Sequence, residues 1–505
     1  MKHVKFTVPV LVLCTLLICC VVCSAADLYV GAAKCSITPD RPIMLSGQFH
    51  RRISNGVQIP IEANVVVLES REGDQSVESV IIVSTDLVYN HPNVQKALVP
   101  EIARTVPDFD VSRLVLTSTH THASAVMDDN HFEIPKEGNV MKPSEYIAWV
   151  APIIAQTVKQ AWDSRKKGSF SYGLEFAVIG YNRRAVYADG SAVMYGPTNT
   201  ANFRAIEGME DRDVNSMFFW DADGKLAAML VNVSCPSQEV EGISQISSDY
   251  WGVARGILRN DFQNENLPIV CTCGAAGDLS PHVRYEAGAV SRMDSLRGVS
   301  RLQELGRRVA VAVKSTYEIV QNDRYAQPVL RYKTAWLTLP MRIPTETEYK
   351  QCCERYEYLT KHEPENGQIG WNKRIMERYE DLAKNPNPTY ETPIGVLRLG
   401  DTVFCTNQFE FYTDFSIQIK ARSKAIQTFV SQISACAGKP DEQNLVDGKP
   451  FPWTFPLRAG TYLPSERAKQ GGGYGAVIQS NTVGPEGGQM IVEETLKLID
   501  ETFKE

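Results

Sequence analysis

The stretch LVLTSTHTHASAV, residues 114–126, runs an apolar segment into two histidines, His120 and His122, one residue apart. The chain holds only eight histidines in 505 residues, so two at one point ask for a reason. On a strand, positions two apart project to one face, and both imidazoles can then reach one small object. Zinc, bound through ring nitrogen, is the usual object. The plain alternative is a pair of hydrogen-bonded polar side chains at a strand end. A second chemical candidate is Ser280 in "GAAGDLSPH". It lies on a G-D-x-S-P turn, not in the G-x-S-x-G elbow that presents a nucleophile. With no histidine base assigned beside it, Ser280 reads as a residue contacting substrate or a developing oxyanion. Arg183 and Arg184 of "YNRR", like Arg51 and Arg52, are candidates for clamping an anionic or hydroxylated group. For each arginine the alternative is a structural salt bridge.

Such residues need a scaffold, and the sequence describes one. "EANVVVLES" and "SVIIVSTDLVY" read as buried strands rich in β-branched residues. "SEYIAWVAPIIAQTVKQAWDSRK" spaces its apolar residues as a helix does. "NSMFFWDADGKLAAMLVNVSC" reads as a hairpin around Asp-Ala-Asp-Gly, and "LPIVCTCGAAGDLSP" as a strand breaking into a glycine-rich turn. "TETEYKQCCERYEYLTKH" and "WNKRIMERYEDLAKN" resemble a pair of exposed helices, and "GVLRLGDTVFCTN" returns to strands. No internal repeat and no low-complexity linker separates these pieces. The expectation is one large α/β (mixed α+β) domain with mixed sheets and flanking helices, over residues 27–505. A helical excursion at about 343–388 interrupts it.

Composition narrows the class. The chain is 43% hydrophobic and 22% charged, as folded globular proteins are. Net charge is -7 with acids and bases interspersed, which argues against nucleic acid as a partner. The first 26 residues carry Lys2 and Lys5, an apolar run from Phe6 to Cys23, and then Ser24-Ala25-Ala26. That pattern reads as a signal peptide cleaved after Ala26, giving a secreted or periplasmic protein. An uncleaved membrane anchor and a lipidated Cys19, Cys20 or Cys23 are the alternatives. Eight of the twelve cysteines lie beyond that segment, without the double C-x-x-C spacing of a structural zinc site, and no disulfide framework is expected.

"TSTHTHASA" resembles the T-H-T-H-S-G/A signature of the neutral, non-lysosomal ceramidase family. Other segments follow in that family's order: "GAAKCSITPD", "RRISNGVQIPIEANVVVLE", "GYNRRAVYADG", "GAAGDLSPH" and "QFEFYTDFSIQIK". The resemblance runs from about residue 30 to 490 and implies the family's catalytic domain without its C-terminal β-domain. It also implies a zinc-dependent hydrolase cleaving an amide (or ester) bond, with one zinc per chain. His120 matches a zinc ligand, and His122 the neighbouring histidine that faces catalytic water or substrate. Glu410 falls on the glutamate ligand. A tyrosine ligand is placed at Tyr462, in "GTYLPSERAKQGGGY", with Tyr474 as the fallback. Arg183, Arg184, Asp278 and His282 fall on the substrate side, and Ser280 on a serine proposed as nucleophile or substrate binder.

One departure stands out. Where the family has a C-H-P histidine after the hairpin, this chain reads "CPSQEVEG", and Gln238 is the nearest polar candidate. A neutral amide oxygen is a poorer zinc ligand than imidazole. Three readings stay open: zinc on His120, Glu410, Tyr462 and a substitute such as His122; a harder cation on oxygen ligands; or a metal-free pocket serving as a ligand- or carbohydrate-binding site. His282, standing where the family has asparagine, is a further stand-in for the missing histidine. The expected substrate is a small lipid- or glycan-linked amide or ester. No exposed amphipathic helix with a basic face signals membrane contact.

Overall fold

The computed structural model describes residues 26–504, except residues 365, 437–440, 447–448 and 452–460. The signal segment lies outside the described residues. Eight strands form the main sheet: β1 (Asp27–Ser36), β2 (Glu62–Glu72), β3 (Gln75–Thr85), β4 (Leu114–Ser118), β5 (Lys166–Phe176), β6 (Asp213–Asp221), β7 (Leu226–Val233) and β8 (Ile269–Cys273). Across the sheet the order is β8-β7-β6-β5-β1-β2-β3-β4. The outermost pairs, β3–β4 and β7–β8, are parallel, and the joins between β3 and β7 are antiparallel. A second sheet runs β9 (Leu330–Pro340), β10 (Thr389–Leu399), β11 (Thr402–Thr406) and β12 (Gln427–Ser431), again ending in a parallel pair.

Strand alternation explains how the layers stack. On β2 and β3, Val65, Val67, Ile81 and Val83 point to one face and pack under α1 (Pro92–Thr105) and α2 (Pro143–Asp163). Val66, Leu68, Val80 and Ile82 point to the other and meet Tyr332, Leu397, Phe404 and Phe429 of the second sheet. Both faces of β2 are therefore dry, which is why it reads as an unbroken apolar run. Over β6–β8, α3 (Asp249–Asp261) and α4 (Arg301–Val320) bury Trp251, Leu258, Leu305 and Val309. The second sheet is closed on its outer face by α7 (Pro485–Thr502) through Ile491, Val492 and Leu498. The result is four layers: helices, sheet, sheet, helix. Local sequence agrees with these ends. Ser300 accepts from the Gln303 amide while the Gln303 side chain accepts from the Ser300 amide, a capping box that starts α4.

The helical pair is α5 (Glu346–His362) and α6 (Gln368–Asp381). Both are mostly exposed, yet the pair is no loose excursion. Arg342 donates to the Ala476 carbonyl and to Asn481 Oδ1, each at 2.6 Å, and Arg378 donates to the Asn481 carbonyl at 3.2 Å. Asn481 in turn donates to the carbonyls of Tyr462 and Gly475. The pair is thus wired to the segment carrying both candidate tyrosines. Among the described residues no helix is long and apolar enough to cross a membrane, and the eight described cysteines are unpaired.

Candidate functional site

Loops leaving the C-terminal ends of β4, β7, β8 and β11 supply His120 and His122, Gln238, Ser280, and Glu410. The histidines do not lie on a strand, as their spacing suggests. β4 stops at Ser118, and His120 sits in the left-handed region at φ 61°. A turn, not strand alternation, brings the two rings to 5.0 Å at right angles. That turn is held from all sides. Thr119 donates to Asp86, Thr121 to the Ser247 carbonyl, Ser237 to the Thr119 carbonyl, and Arg52 to the His122 carbonyl. Asp86 itself is fully buried against Arg255. Such over-determination is what lets a non-glycine residue persist at positive φ.

His120 Nδ1 lies 2.6 Å from the Val88 carbonyl. A carbonyl only accepts, so Nδ1 carries the proton and Nε2 presents a lone pair when the ring is neutral. Nε2 faces Glu410 Oε2 at 3.7 Å. With the ring neutral two electron-pair donors face each other in a buried site, and either a second ring proton or a cation would supply the positive charge between them. The gap is too long for a hydrogen bond. It is close to the separation of about 3.4 Å expected for two ligands of one tetrahedral zinc. Glu410 pairs in register with Tyr462, and the Tyr462 and Tyr474 rings meet edge-on with 5.3 Å between centroids. Burial, then Glu410 and Tyr474, push the Tyr462 hydroxyl well up, so without a cation it stays a phenol. Among the described residues, no three His, Cys, Asp or Glu side chains gather as metal ligands. A metal here would find His120 and Glu410 and would need its further donors from other groups, such as the Tyr462 hydroxyl. His120, Glu410 and Tyr462 fit a zinc ion as nitrogen, carboxylate and phenol donors, the number of protein ligands a catalytic zinc uses.

Gln238 has other work. Its amide oxygen, the atom a metal would take, accepts from Arg183 Nη1 at 3.2 Å. Its amide nitrogen sits 2.8 Å from His122 Nε2 and 3.4 Å from Nδ1. Arg183 is the centre of this side of the site, only 2% exposed. Its remaining partners are neutral oxygens: Tyr195 hydroxyl at 3.0 Å, Gly277 carbonyl at 3.1 Å and Tyr462 hydroxyl at 3.3 Å. Glu241, given no role when "CPSQEVEG" was read in the sequence, approaches His122 Nδ1 at 3.3 Å and His282 Nδ1 at 3.8 Å. Burial holds His122 below the ordinary imidazole value, against the pull of Glu241. Burial pushes Glu241 up, but His122, His282 and Arg183 outweigh it and hold the carboxyl low.

The remaining candidates are structural neighbours. Arg184 points away from Arg183, as alternation along an extended segment requires. Its side chain is fully buried in a bidentate pair with Glu207, and it donates to the carbonyls of Ala468, Gly472 and Tyr474. It anchors the Tyr474 loop instead of meeting substrate. Asp278 is also committed, accepting from Asn182, from the Thr413 amide and from the Thr413 hydroxyl. Burial pushes it up to about 6. Ser280 is fully buried, and its Oγ accepts from the His282 amide at 3.3 Å. On the open side stands an aromatic wall. Trp371 of α6 stacks with Tyr474 (5.8 Å between centroids, 7° between planes), and Phe49 meets both rings edge-on.

Gly47 carries a consequence of its own. Its φ is +94°, and a Cβ there would lie 2.4 Å from His122 Cγ. Gly47→Ala is expected to destabilise the protein by on the order of 1–3 kcal/mol and to displace the His122 ring. Urea unfolding checks the first; unchanged stability would show that the ring is not fixed there.

No family model matches the chain, and no curated protein matches it by sequence. Solved structures do. A neutral ceramidase from Pseudomonas aeruginosa superposes with a TM-score of 0.63 at 15% identity, covering 94% of this chain and 75% of that one. A ceramidase complexed with C2 superposes with a TM-score of 0.64 at 13% identity, covering 95% and 76%. At such identities the likeness speaks for architecture, and on that ground this chain has a neutral ceramidase-like fold.

Proposed function

We propose that this protein is an exported hydrolase of the ceramidase type, cleaving the amide or ester bond of a small acylated substrate at a zinc held by His120, Glu410 and Tyr462. The observation that carries this reading is the facing of His120 Nε2 and Glu410 Oε2 at 3.7 Å, with Nδ1 already committed to a carbonyl. The fold shared with two ceramidases supports it. When bound, zinc supplies the positive charge that polarises a carbonyl and acidifies water. The chain's own residues do the rest. His122 takes a proton at Nε2 from the attacking group and returns it to the leaving group. Arg183, whose four Nη–H groups are already donated to Tyr195, Gln238, Gly277 and Tyr462, holds those groups in place and supplies a fixed positive charge beside the reacting bond. Phe49, Trp371 and Tyr474 offer an apolar surface for the acyl or ring portion beside the reacting bond.

The rival reading, a metal-free binding protein using the same cleft, draws on the lack of three clustered His, Cys, Asp or Glu ligands among the described residues. A panel of N-acyl amphiphiles and simple esters separates the two. The hydrolase reading expects cleavage that a chelator stops and added zinc restores. Binding without cleavage under either condition would favour the rival.

Export has its own check. Protein recovered from outside the cytoplasm is expected to begin at or near Asp27. N-terminal sequencing that finds Phe6 to Cys23 intact would replace export with membrane anchoring.

A further inference from the structure

We infer that Tyr195 and Arg284 form a corner of the cleft that binds an anionic group, and that the substrate is accordingly an acyl compound with a carboxylate on its leaving-group side. Three observations converge there. The first is strain. Tyr195 sits in the left-handed region at φ 59°, where a bulky aromatic residue persists only when its surroundings hold it. Its amide donates to the Arg183 carbonyl at 2.7 Å, and the carbonyl of the next residue, Gly196, accepts from Arg284 Nη2 at 2.6 Å. The ring so held has the guanidinium groups of Arg183 and Arg284 each 5.5 Å from its centroid, and His282 leans on it at 5.7 Å. It is still 36% exposed, so a ligand can reach it. The second observation is charge. Arg184, Arg255 and Arg259 each meet a carboxylate. The Nη hydrogens of Arg183 go to neutral oxygens instead. Among the described residues the Arg284 side chain makes one hydrogen bond, to Gly196, and its Nε is buried without a partner. Burial pulls Arg284 down and only Tyr195 and Tyr187 oppose it, so no carboxylate answers this cation. A desolvated charge without a counter-charge is costly, and an anion seated on it offsets that cost. The third is a free donor. The Tyr195 hydroxyl accepts from Arg183 at 3.0 Å, and no described residue accepts its own proton.

The place of this corner sets the substrate class. Arg183 links two ends of the site, with Nη2 on Tyr462 and Nη1 on Tyr195. Beyond Tyr462 come Tyr474 and the aromatic wall of Trp371 and Phe49; beyond Tyr195 comes Arg284. An acyl chain laid on the wall, with its bond beside Tyr462, has its other end toward the Arg284 guanidinium, which matches a carboxylate in shape and charge. An N-acyl amino acid has this layout of apolar tail, amide and carboxylate. Its hydrolysis breaks the amide C–N bond, water supplying OH to the acyl carbon and H to the nitrogen, and gives a fatty acid and an amino acid. The substrate class rests on the hydrolase reading; the anion-binding corner does not.

Octanoylglycine and octanoylglycinamide differ at neutral pH only in that terminal charge. Calorimetry on the full-length protein held in chelator, where no turnover intervenes, is expected to show the carboxylate compound bound about 10-fold more tightly, the share of one hydrogen bond to a charged group. Arg284→Gln should bring the ratio close to 1, and Arg284→Lys should keep part of it. Inorganic phosphate, with ionic strength matched by chloride, should displace octanoylglycine from the native protein but not octanoylglycinamide, a readout that needs no variant to fold. A native ratio near 1, binding of neither compound, no competition by phosphate, or a ratio that survives Arg284→Gln overturns the inference. Cleavage is then followed with zinc restored. The native preference without cleavage of either compound would sink the hydrolase reading and leave the anion-binding corner standing.

Discussion

His120→Ala should empty the site of metal and lower turnover by at least about 10³-fold, the loss of several kcal/mol of transition-state charge stabilisation. Of the three side chains proposed to hold the ion, His120 supplies the one nitrogen. Its ring is 4% exposed and fixed at Nδ1 by the Val88 carbonyl, so no neighbouring group can swing in to replace it. His122→Ala should behave differently. Its ring lies against the Glu241 carboxylate and the Gln238 amide, so its removal should leave the metal in place. Turnover should still fall, by about 10²–10⁴-fold, the usual share of a general acid/base. Zinc content and kcat of the two variants, measured side by side, check this. Equal loss of metal from both would mean that His122 is itself a ligand, and the acid/base role would pass to His282 or to the more distant His131. No change in either variant would end the hydrolase account.

Arg184→Met should cost about 3–5 kcal/mol, the range for stranding one partner of a buried ion pair. Arg184 is 0% and Glu207 3% exposed at the side chain, with paired contacts of 2.6 and 3.0 Å. The substitution leaves a buried carboxylate without its cation and takes a donor from the carbonyls of Ala468, Gly472 and Tyr474. Adding Glu207→Leu should recover part of the loss, because the stranded charge goes with it. Denaturant unfolding of the single and double variants reads both values. The exposed pair Arg422–Glu493, at 46% and 53%, is the control, and its removal should cost no more than about 1 kcal/mol. A cost for Arg184→Met as small as the control would contradict an anchoring role for the Tyr474 loop.

The contrast between Arg183 and Arg184 shows where reading from sequence reaches its limit. Both stand in "YNRR", and both invite the same guess. Which one faces the site depends on how residues 181–187 lie against the loops after β7 and β8, a long-range fact. Element types were legible because periodicity is local. The β6–β7 hairpin, the long α2 and the α5–α6 pair all form where their patterns place them. The histidine pair was legible as a pair but not in its geometry. His120 adopts positive φ because residues from 52 to 255 brace the turn. Glu241 left no signal beyond a carboxylate in the segment where a histidine was missing. Nothing nearby said that it would meet His122 and His282. Tyr195 was hidden likewise: the hairpin of residues 184–194 carries it back to Arg183, whose carbonyl accepts from its amide at 2.7 Å. Asp278 and Ser280 sit within the motif that drew attention to them, yet their polar atoms are occupied in holding the turn.

Metal content of the purified native protein, by elemental analysis after exhaustive dialysis, tests the central claim most directly. The facing of His120 and Glu410, completed by Tyr462, predicts close to one zinc per chain, removable by chelator and restored on adding zinc. Protein that folds normally, carries no metal and takes none up from a zinc-containing buffer would contradict it.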